Sequence, residues 1–185
     1  MMHIEPRCKP PIVPVLETQR LRLRGHRPLD IEHLAPMWAD PAVVRFIGSG
    51  PRSRTLVWRN LLRHVGSWAL LGYGYWVIER RDTGAFIGEI GLMENQRQTE
   101  PSFPGTPEAG WATVPEAWGN GYATEALRAV IDWTDRHLSA PQLCCIFDPK
   151  HKASQRVAAK VGFQPWRSVM MDGAVTTVFT RDAPG

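Results

Sequence analysis

The stretch richest in chemistry is Trp118-Gly119-Asn120-Gly121-Tyr122-Ala123-Thr124-Glu125-Ala126. Two glycines one residue apart let a backbone come close to a ligand and turn its N–H groups outward. A helical pattern starts at about Thr124 and runs to Leu138, and the positive end of its dipole adds to those N–H groups. Together they suit an anion, above all a phosphate. The other reactive types are less organised. Cys8, Cys144 and Cys145 are odd in number and two are adjacent, which fits neither a disulfide framework nor zinc spacing. They read as free or buried thiols in a reducing cytoplasm. The histidines are scattered with no ligand pair on one helix face, so no metal is expected. Residues 42–78 contain no Asp or Glu but hold Arg45, Arg52, Arg54, Arg59 and Arg63. Such a run is either a solvated helix face or the rim of a site that attracts carboxylates and repels polycations.

These groups need elements to position them. Ala109–Val114 reads as a strand feeding the glycine loop, and Pro115 directly after it cannot donate a ladder hydrogen bond. After the loop, Ala123, Leu127, Val130, Ile131, Thr134 and Leu138 form one apolar stripe of a helix. Upstream, Leu16–Arg24 alternates apolar and basic residues as a strand does. Pro28-Leu29-Asp30 opens a helix over about residues 30–39, and Asp40-Pro41 closes it. The segment 54–66 puts Trp58, Leu61, Leu62 and Val65 on one helical face and Arg59 and Arg63 on another. Tyr75–Arg80 and Phe86–Glu94 read as a hairpin turning at Asp82-Thr83-Gly84. Residues 95–107, with three prolines, read as a loop at the edge of the active region. Leu143–Phe147 reads as a buried strand, 152–161 as a helix ending at Gly162, and Val169–Met171 with Val175–Thr180 as a last hairpin. The order is mixed α+β. A chain of 185 residues, 43% hydrophobic and 22% charged, suits one domain with a real core. We expect a loose leader over residues 1–14 and one domain over 15–182.

The loop resembles the pyrophosphate loop of the GNAT superfamily of acetyl-CoA-dependent N-acetyltransferases, Arg/Gln-x-x-Gly-x-Gly/Ala. It falls on Trp118 through Ala123, with Trp118 in place of the usual Arg or Gln, as in the branch resembling the ribosomal-protein N-terminal acetyltransferases. Leu16-Glu17-Thr18-Gln19-Arg20-Leu21-Arg22-Leu23-Arg24 resembles that branch's opening strand, Phe86-Ile87-Gly88-Glu89-Ile90-Gly91-Leu92 its third, and Glu108-Ala109-Gly110-Trp111 the start of its fourth. Ser154-Gln155-Arg156-Val157 through Gly162-Phe163 resembles its late helix on the CoA side. The resemblance covers about residues 15–180. It implies the GNAT fold, a mostly antiparallel central sheet flanked by helices with strands splayed at the cofactor site.

The implied reaction carries acetyl from acetyl-CoA to a primary amine by direct attack in a ternary complex. It needs a held cofactor, a neutral amine, support for an oxyanion and a proton for the thiolate. The resemblance assigns the cofactor to Ala112, Thr113 and Val114 of the splayed strand, to Trp118, Gly119, Asn120, Gly121, Tyr122, Ala123 and Thr124, and to His151 and Ser154. The oxyanion donor is expected to be a backbone N–H near Val114. Glu108 is the first candidate for the base, with Glu89 and Glu94 behind it, and a solvated strand-end Glu is the alternative for Glu108. Ser154 is the candidate acid for the thiolate. The tyrosine that some relatives place before the Gly-Phe pair is absent, since Ala158 stands there. His151 stands where the branch has Asn, and either touches the cofactor or sits in solvent. Ser154 could instead cap the helix. Trp38, Trp58, Trp68 and Trp76 are packing residues or line an acceptor groove.

The acceptor is a protein N-terminus or a small-molecule amine. An antibiotic or polyamine acetyltransferase is the alternative within the same chemistry, and an acyl-CoA-binding regulator without turnover is the alternative outside it. A net charge of +4 and a pI near 9.3 permit nucleic acid, but the basic residues lack interleaved aromatics, so none is expected as a partner. No membrane association is expected, and the chain is either a monomer or a homodimer.

Overall fold

The computed structural model describes residues 13–48, 50–97, 99 and 106–184. Residues 1–12 of the expected leader and most of the 95–107 loop lie outside the described residues. Val13 and Pro14 are packed. A side chain on Gly25 would press into Val13, and the Pro14 carbonyl accepts the Trp76 indole N–H at 2.8 Å.

Among the described residues the chain forms β1 (Leu16–Glu17), β2 (Leu21–Arg24), α1 (Ile31–Ala39), α2 (Pro41–Val44), α3 (Arg54–Leu71), β3 (Tyr75–Arg80) and β4 (Phe86–Met93). These are followed by β5 (Glu108–Thr113), α4 (Tyr122–His137), β6 (Gln142–Phe147), α5 (Lys152–Ala159), β7 (Gln164–Met171) and β8 (Ala174–Asp182). The strands form one open eight-stranded sheet in the order β1-β2-β3-β4-β5-β6-β8-β7. Every neighbouring pair is antiparallel except β5 with β6. The fold class is the α+β arrangement expected from the element order.

Alternation of apolar residues divides the sheet into two faces. Trp76, Ile90 and Leu92 pack beneath α4, which contributes Leu127, Val130 and Ile131. There Trp68, Trp76 and Trp133 meet edge to face at centroid distances of 4.7 to 5.4 Å, an arrangement aromatic quadrupoles favour. The other face carries Ala112 and is covered by Ile31, Leu34, Val57 and Leu61 of α1 and α3. Cys144 and Cys145 are buried in β6. Burial pushes the Cys144 thiol up to about 12, and Cys145 well above its ordinary value, which leaves both unreactive.

Several elements differ from the sequence pattern. The opening strand is two strands, because Thr18 turns the chain. Its hydroxyl accepts from the Leu21 N–H at 2.9 Å, and β1 folds back on β2 with Leu16 beside Leu23. Asp40 ends α1, and its side chain then accepts the Ala42 N–H at 2.8 Å to start α2. The α3 helix runs through Gly66 to Gly72, whose left-handed φ of 74° closes it. That longer helix buries Val57, Leu61, His64 and Trp68, while Leu62 of the expected face is half exposed. The last hairpin starts earlier and ends later, with Pro165 tolerated because β7 is an edge strand.

Candidate active site

The glycine loop joins β5 to α4, as its residues require. Gly119 and Gly121 hold φ values of 77° and 79°, where an L side chain is strained. The first bond of α4 is donated by Glu125 to the Gly121 carbonyl at 3.1 Å. The N–H groups of Gly119 through Thr124 therefore have no backbone acceptor among the described residues. They form a continuous donor row at a helix N-terminus, which fits a pyrophosphate. Trp118 closes the start of this row by donating its indole N–H to the Thr113 carbonyl at 3.0 Å. The Asn120 amide turns inward to the carbonyls of Ala117 and Trp118.

The loop is buttressed from the turn between β1 and β2. Glu125 accepts from the Thr18 hydroxyl at 2.6 Å, the Arg20 N–H at 2.9 Å and the Arg20 guanidinium at 2.7 Å. Arg20 also donates to the Asn120 carbonyl at 3.0 Å and lies over the Tyr122 ring. Burial works to raise the Glu125 pKa, but these donors outweigh it and hold the carboxyl below the ordinary carboxylate value. The Thr-Gln-Arg motif of the opening strands thus anchors the loop.

β5 and β6 touch at one place, Glu108 beside Cys144, and diverge beyond it. Val114 donates to the Ile87 carbonyl at 2.9 Å, so its N–H is engaged and cannot face the gap. Hydrogen-bonding direction alternates along a strand, so Ala112 shares the β4 side while the N–H groups of Trp111 and Thr113 point into the gap. Among the backbone donors near Val114, those of Trp111 and Thr113 are therefore the ones left on the side of the gap.

A cavity of about 820 Å³ opens from this gap across the α1–α3 face of the sheet. Tyr75, Glu89, Glu108 and Gly110 form its floor, and Arg45, Phe46, Arg52, Arg63 and His64 form one wall. His151, Ser154 and the hairpin residues Met171, Asp172, Ala174 and Val175 supply the far side. Gly110 is required here, because a Cβ on it would stand 2.2 Å from the Tyr75 hydroxyl oxygen.

The sequence-derived candidates fall on two sides of the gap. Glu108 faces the cavity, with both oxygens held by the Arg97 fork at 2.6 and 2.8 Å. Ser154 is buried in the first turn of α5, and its Oγ lies 3.2 Å from His151 Nε2. His151 itself is the residue before the helix, so Ser154 is not the cap. The His151 ring stacks on Phe46 at 4.8 Å, and burial lowers its pKa, which keeps it neutral. Ala112 is buried on the α1–α3 face. Glu94 does not line the cavity.

Sequence reasoning named Glu89 as a secondary base but missed the polar cluster around it at the floor. Glu89 is buried and accepts from the Trp38 indole at 2.8 Å and from His26 Nε2 at 3.0 Å. His64 Nε2 lies 3.8 Å away. Burial works to raise the Glu89 pKa, and the imidazoles overcome it, so the carboxylate stays ionised. Burial lowers the pKa of His64, which stays neutral. His64 stacks on Tyr75 at 4.4 Å, and its Nδ1 is buried without a hydrogen-bond partner. His26 reaches Glu89 because a buried ionic network fixes the end of β2, where Arg24 bonds to Asp30 at 2.7 and 2.8 Å and to Glu79 at 2.5 and 2.8 Å. The readable signal was the stripe Val57, Leu61, His64, Trp68, which places the imidazole on the buried side of α3.

Among the described residues no group of His, Cys, Asp and Glu is arranged to hold a metal ion, and no helix is long and apolar enough to cross a membrane. The acetyltransferase (GNAT) domain model matches residues 20–164. The uncharacterized protein YkkB of Bacillus subtilis is 30% identical over 170 residues, covering 90% of this chain and 94% of its own. The uncharacterized N-acetyltransferase YoaA of the same organism is 29% identical, covering 82% and 83%. A putative GnaT-family acetyltransferase from Bordetella pertussis superposes with a TM-score of 0.79 at 25% identity, covering 91% of this chain and 99% of that one. The fold alone is shared, at 13 to 16% identity, with a ribosomal L7/L12 α-N-protein acetyltransferase, a spermidine N-acetyltransferase from Vibrio cholerae and an aminoglycoside acetyltransferase. With the donor row, the splayed strands and the matched span in agreement, this chain belongs to the GNAT family of acetyltransferases.

Proposed function

We propose that the protein acetylates a primary amine with acetyl-CoA, the two substrates being bound together on opposite sides of the β5–β6 gap. The observation that supports this reading is that β5, which borders the gap, runs from the floor of a cavity lined with charged side chains at Glu108 and Gly110 toward the donor row of the glycine loop. Acetyl-CoA supplies the acetyl group as a thioester. The N–H groups of Gly119 through Thr124 hold its pyrophosphate, and the N–H groups of Trp111 and Thr113 hold a carbonyl oxygen at the gap.

Two pairs of side chains manage the protons. His64 is neutral and has ionised Glu89 beside it, so it can accept a proton from the incoming ammonium and have the resulting charge balanced. Glu108, fixed by Arg97, orients the amine on the floor. On the far side, Ser154 can give its hydroxyl proton to the departing sulfur. When His151 Nε2 carries a proton it donates to Ser154 Oγ, which leaves the serine proton free for that task.

The fold neighbours act on protein, polyamine and aminoglycoside acceptors, so the choice of acceptor rests on the walls of this cavity. Amine-dependent release of free thiol from acetyl-CoA, measured over peptides, amino acids, polyamines and aminoglycosides, tests the reading. Turnover with at least one of these amines is expected. Tight CoA binding with no thiol release for the whole panel would refute it.

A further inference from the structure

Three arginines on one wall of the cavity have no acidic partner among the described residues. Arg52 lies on the Trp38 ring, 3.7 Å from its centroid. Arg63 projects from α3, and Arg45 stands beyond α2 over the Phe46 ring at 5.2 Å. Arg54 is different. It faces away from the cavity and pairs with Glu32 at 2.6 Å.

The acids that line the cavity make no ion pair with this wall. Glu89 accepts from Trp38 and His26, and Arg97 holds both oxygens of Glu108. Asp148 accepts the Lys150 N–H at 2.7 Å, and Asp172 lies on the far hairpin. Arg52 is only partly exposed. Burial lowers its pKa first of all, Glu89 and Tyr75 oppose that, and Arg63 adds to the lowering. Arg52 and Arg63 line the same cavity wall without an ion pair among the described residues, and a half-buried guanidinium gains from an anion that joins it there. The cofactor's pyrophosphate is not that anion, since no residue of the glycine loop lines this cavity.

We propose that Arg52 and Arg63 form an anion subsite for the acceptor, and that the preferred acceptor is a small amine bearing a carboxylate. The inference rests on the transferase reading above for the word acceptor, and on the wall alone for the anion. Arg52 on the indole face keeps its N–H edge for a planar acceptor with two oxygens, the geometry a carboxylate offers. Arg45 at the rim adds attraction at longer range and disfavours polycations.

The test compares the common α-amino acids and the straight-chain ω-amino acids with their own carboxamides as acceptors. For the best acid, kcat/KM is expected to exceed that of its amide by about tenfold or more. In Arg52→Gln with Arg63→Gln the ratio of acid to amide should collapse toward one. An acid no better than its amide in the wild type, or a ratio that survives in the double variant, would overturn the subsite. Arg63→Gln alone guards against misfolding, because that side chain is exposed on α3, and it should lower the ratio by itself. Calorimetry of the same carboxylates on the CoA-loaded protein separates the two readings. Carboxylate binding that is lost in the double variant, without turnover of any amine, would uphold the anion site and remove the transferase reading. No carboxylate binding to the wild type would overturn the subsite.

Discussion

Replacing Gly121 by Val separates the loop's structural work from its binding work. Gly121 holds a φ of 79°, and a Cβ built there meets only Arg20 Nη2 at 3.6 Å, an ordinary contact. Space is therefore not the difficulty, and the cost is conformational. An L residue in the left-handed region loses about 1–2 kcal/mol, and a β-branched one fares worst. If the loop keeps its shape, that loss appears as stability. If the loop relaxes, the N–H groups of Gly121 and Tyr122 swing out of the donor row. Each is worth about 1.5–3 kcal/mol to a charged acceptor, so CoA affinity should fall by about tenfold to a hundredfold for each donor lost. Calorimetric titration with CoA and denaturant unfolding measure the two effects on one variant. Gly84→Val is the control, because Gly84 has a φ of 69° in the open turn between β3 and β4. It should lose similar stability and bind CoA as the wild type does. A folded Gly121→Val protein that loses neither stability nor CoA affinity would refute the conformation given to the donor row.

Removing the buttress with Glu125→Ala should weaken CoA binding severalfold. It should cost less than about 1 kcal/mol of stability, because the Arg20–Glu125 pair is partly exposed, and unfolding and titration together check this. Ser154→Ala should lower kcat with little change in acetyl-CoA affinity, while Glu108→Gln should act mainly through the KM for the amine, and steady-state kinetics distinguish the two. His64 makes stability depend on pH. Its folded pKa lies below the ordinary 6.5, so the unfolded chain takes up a proton that the folded chain does not. That stability is present above about pH 6.5 and is lost as pH falls toward the folded value. Urea unfolding at about pH 7 and about pH 5 should show a smaller loss in His64→Gln than in the wild type.

What could be read from the sequence follows from the range of the interactions involved. The glycine loop was legible because its strand, its glycines and its helix start lie within a short run of chain. The break in the opening strand was masked by its unbroken alternation, although the Thr18 turn is local, and the anchoring of that turn by Glu125 comes from more than a hundred residues away. The arginine run was visible as composition, yet its meaning depends on the facing of α3. Gly66 gave no sign that the helix would continue past it. Burial of Trp68 near the end then rotated His64 inward and left Arg63 at the cavity edge. The Glu89 cluster draws Trp38, His26 and His64 from three separate segments, and no local pattern links them. Glu108 was correctly placed at the head of β5, but its Arg97 partner comes from the loop before it, where no periodicity marks a contact.

The central claim is that a cofactor on the glycine loop and an amine in the arginine-walled cavity meet across the β5–β6 gap. The most direct measurement is the rate of free-thiol release from acetyl-CoA as each amine of a broad panel is added, with mass spectrometry of the product. Thiol release that requires the amine, matched by an equal amount of N-acetylated amine and reduced in Ser154→Ala, is the expected result. Saturable CoA binding with no acetylated amine from any member of the panel would contradict the account and leave a protein that holds the cofactor without using it.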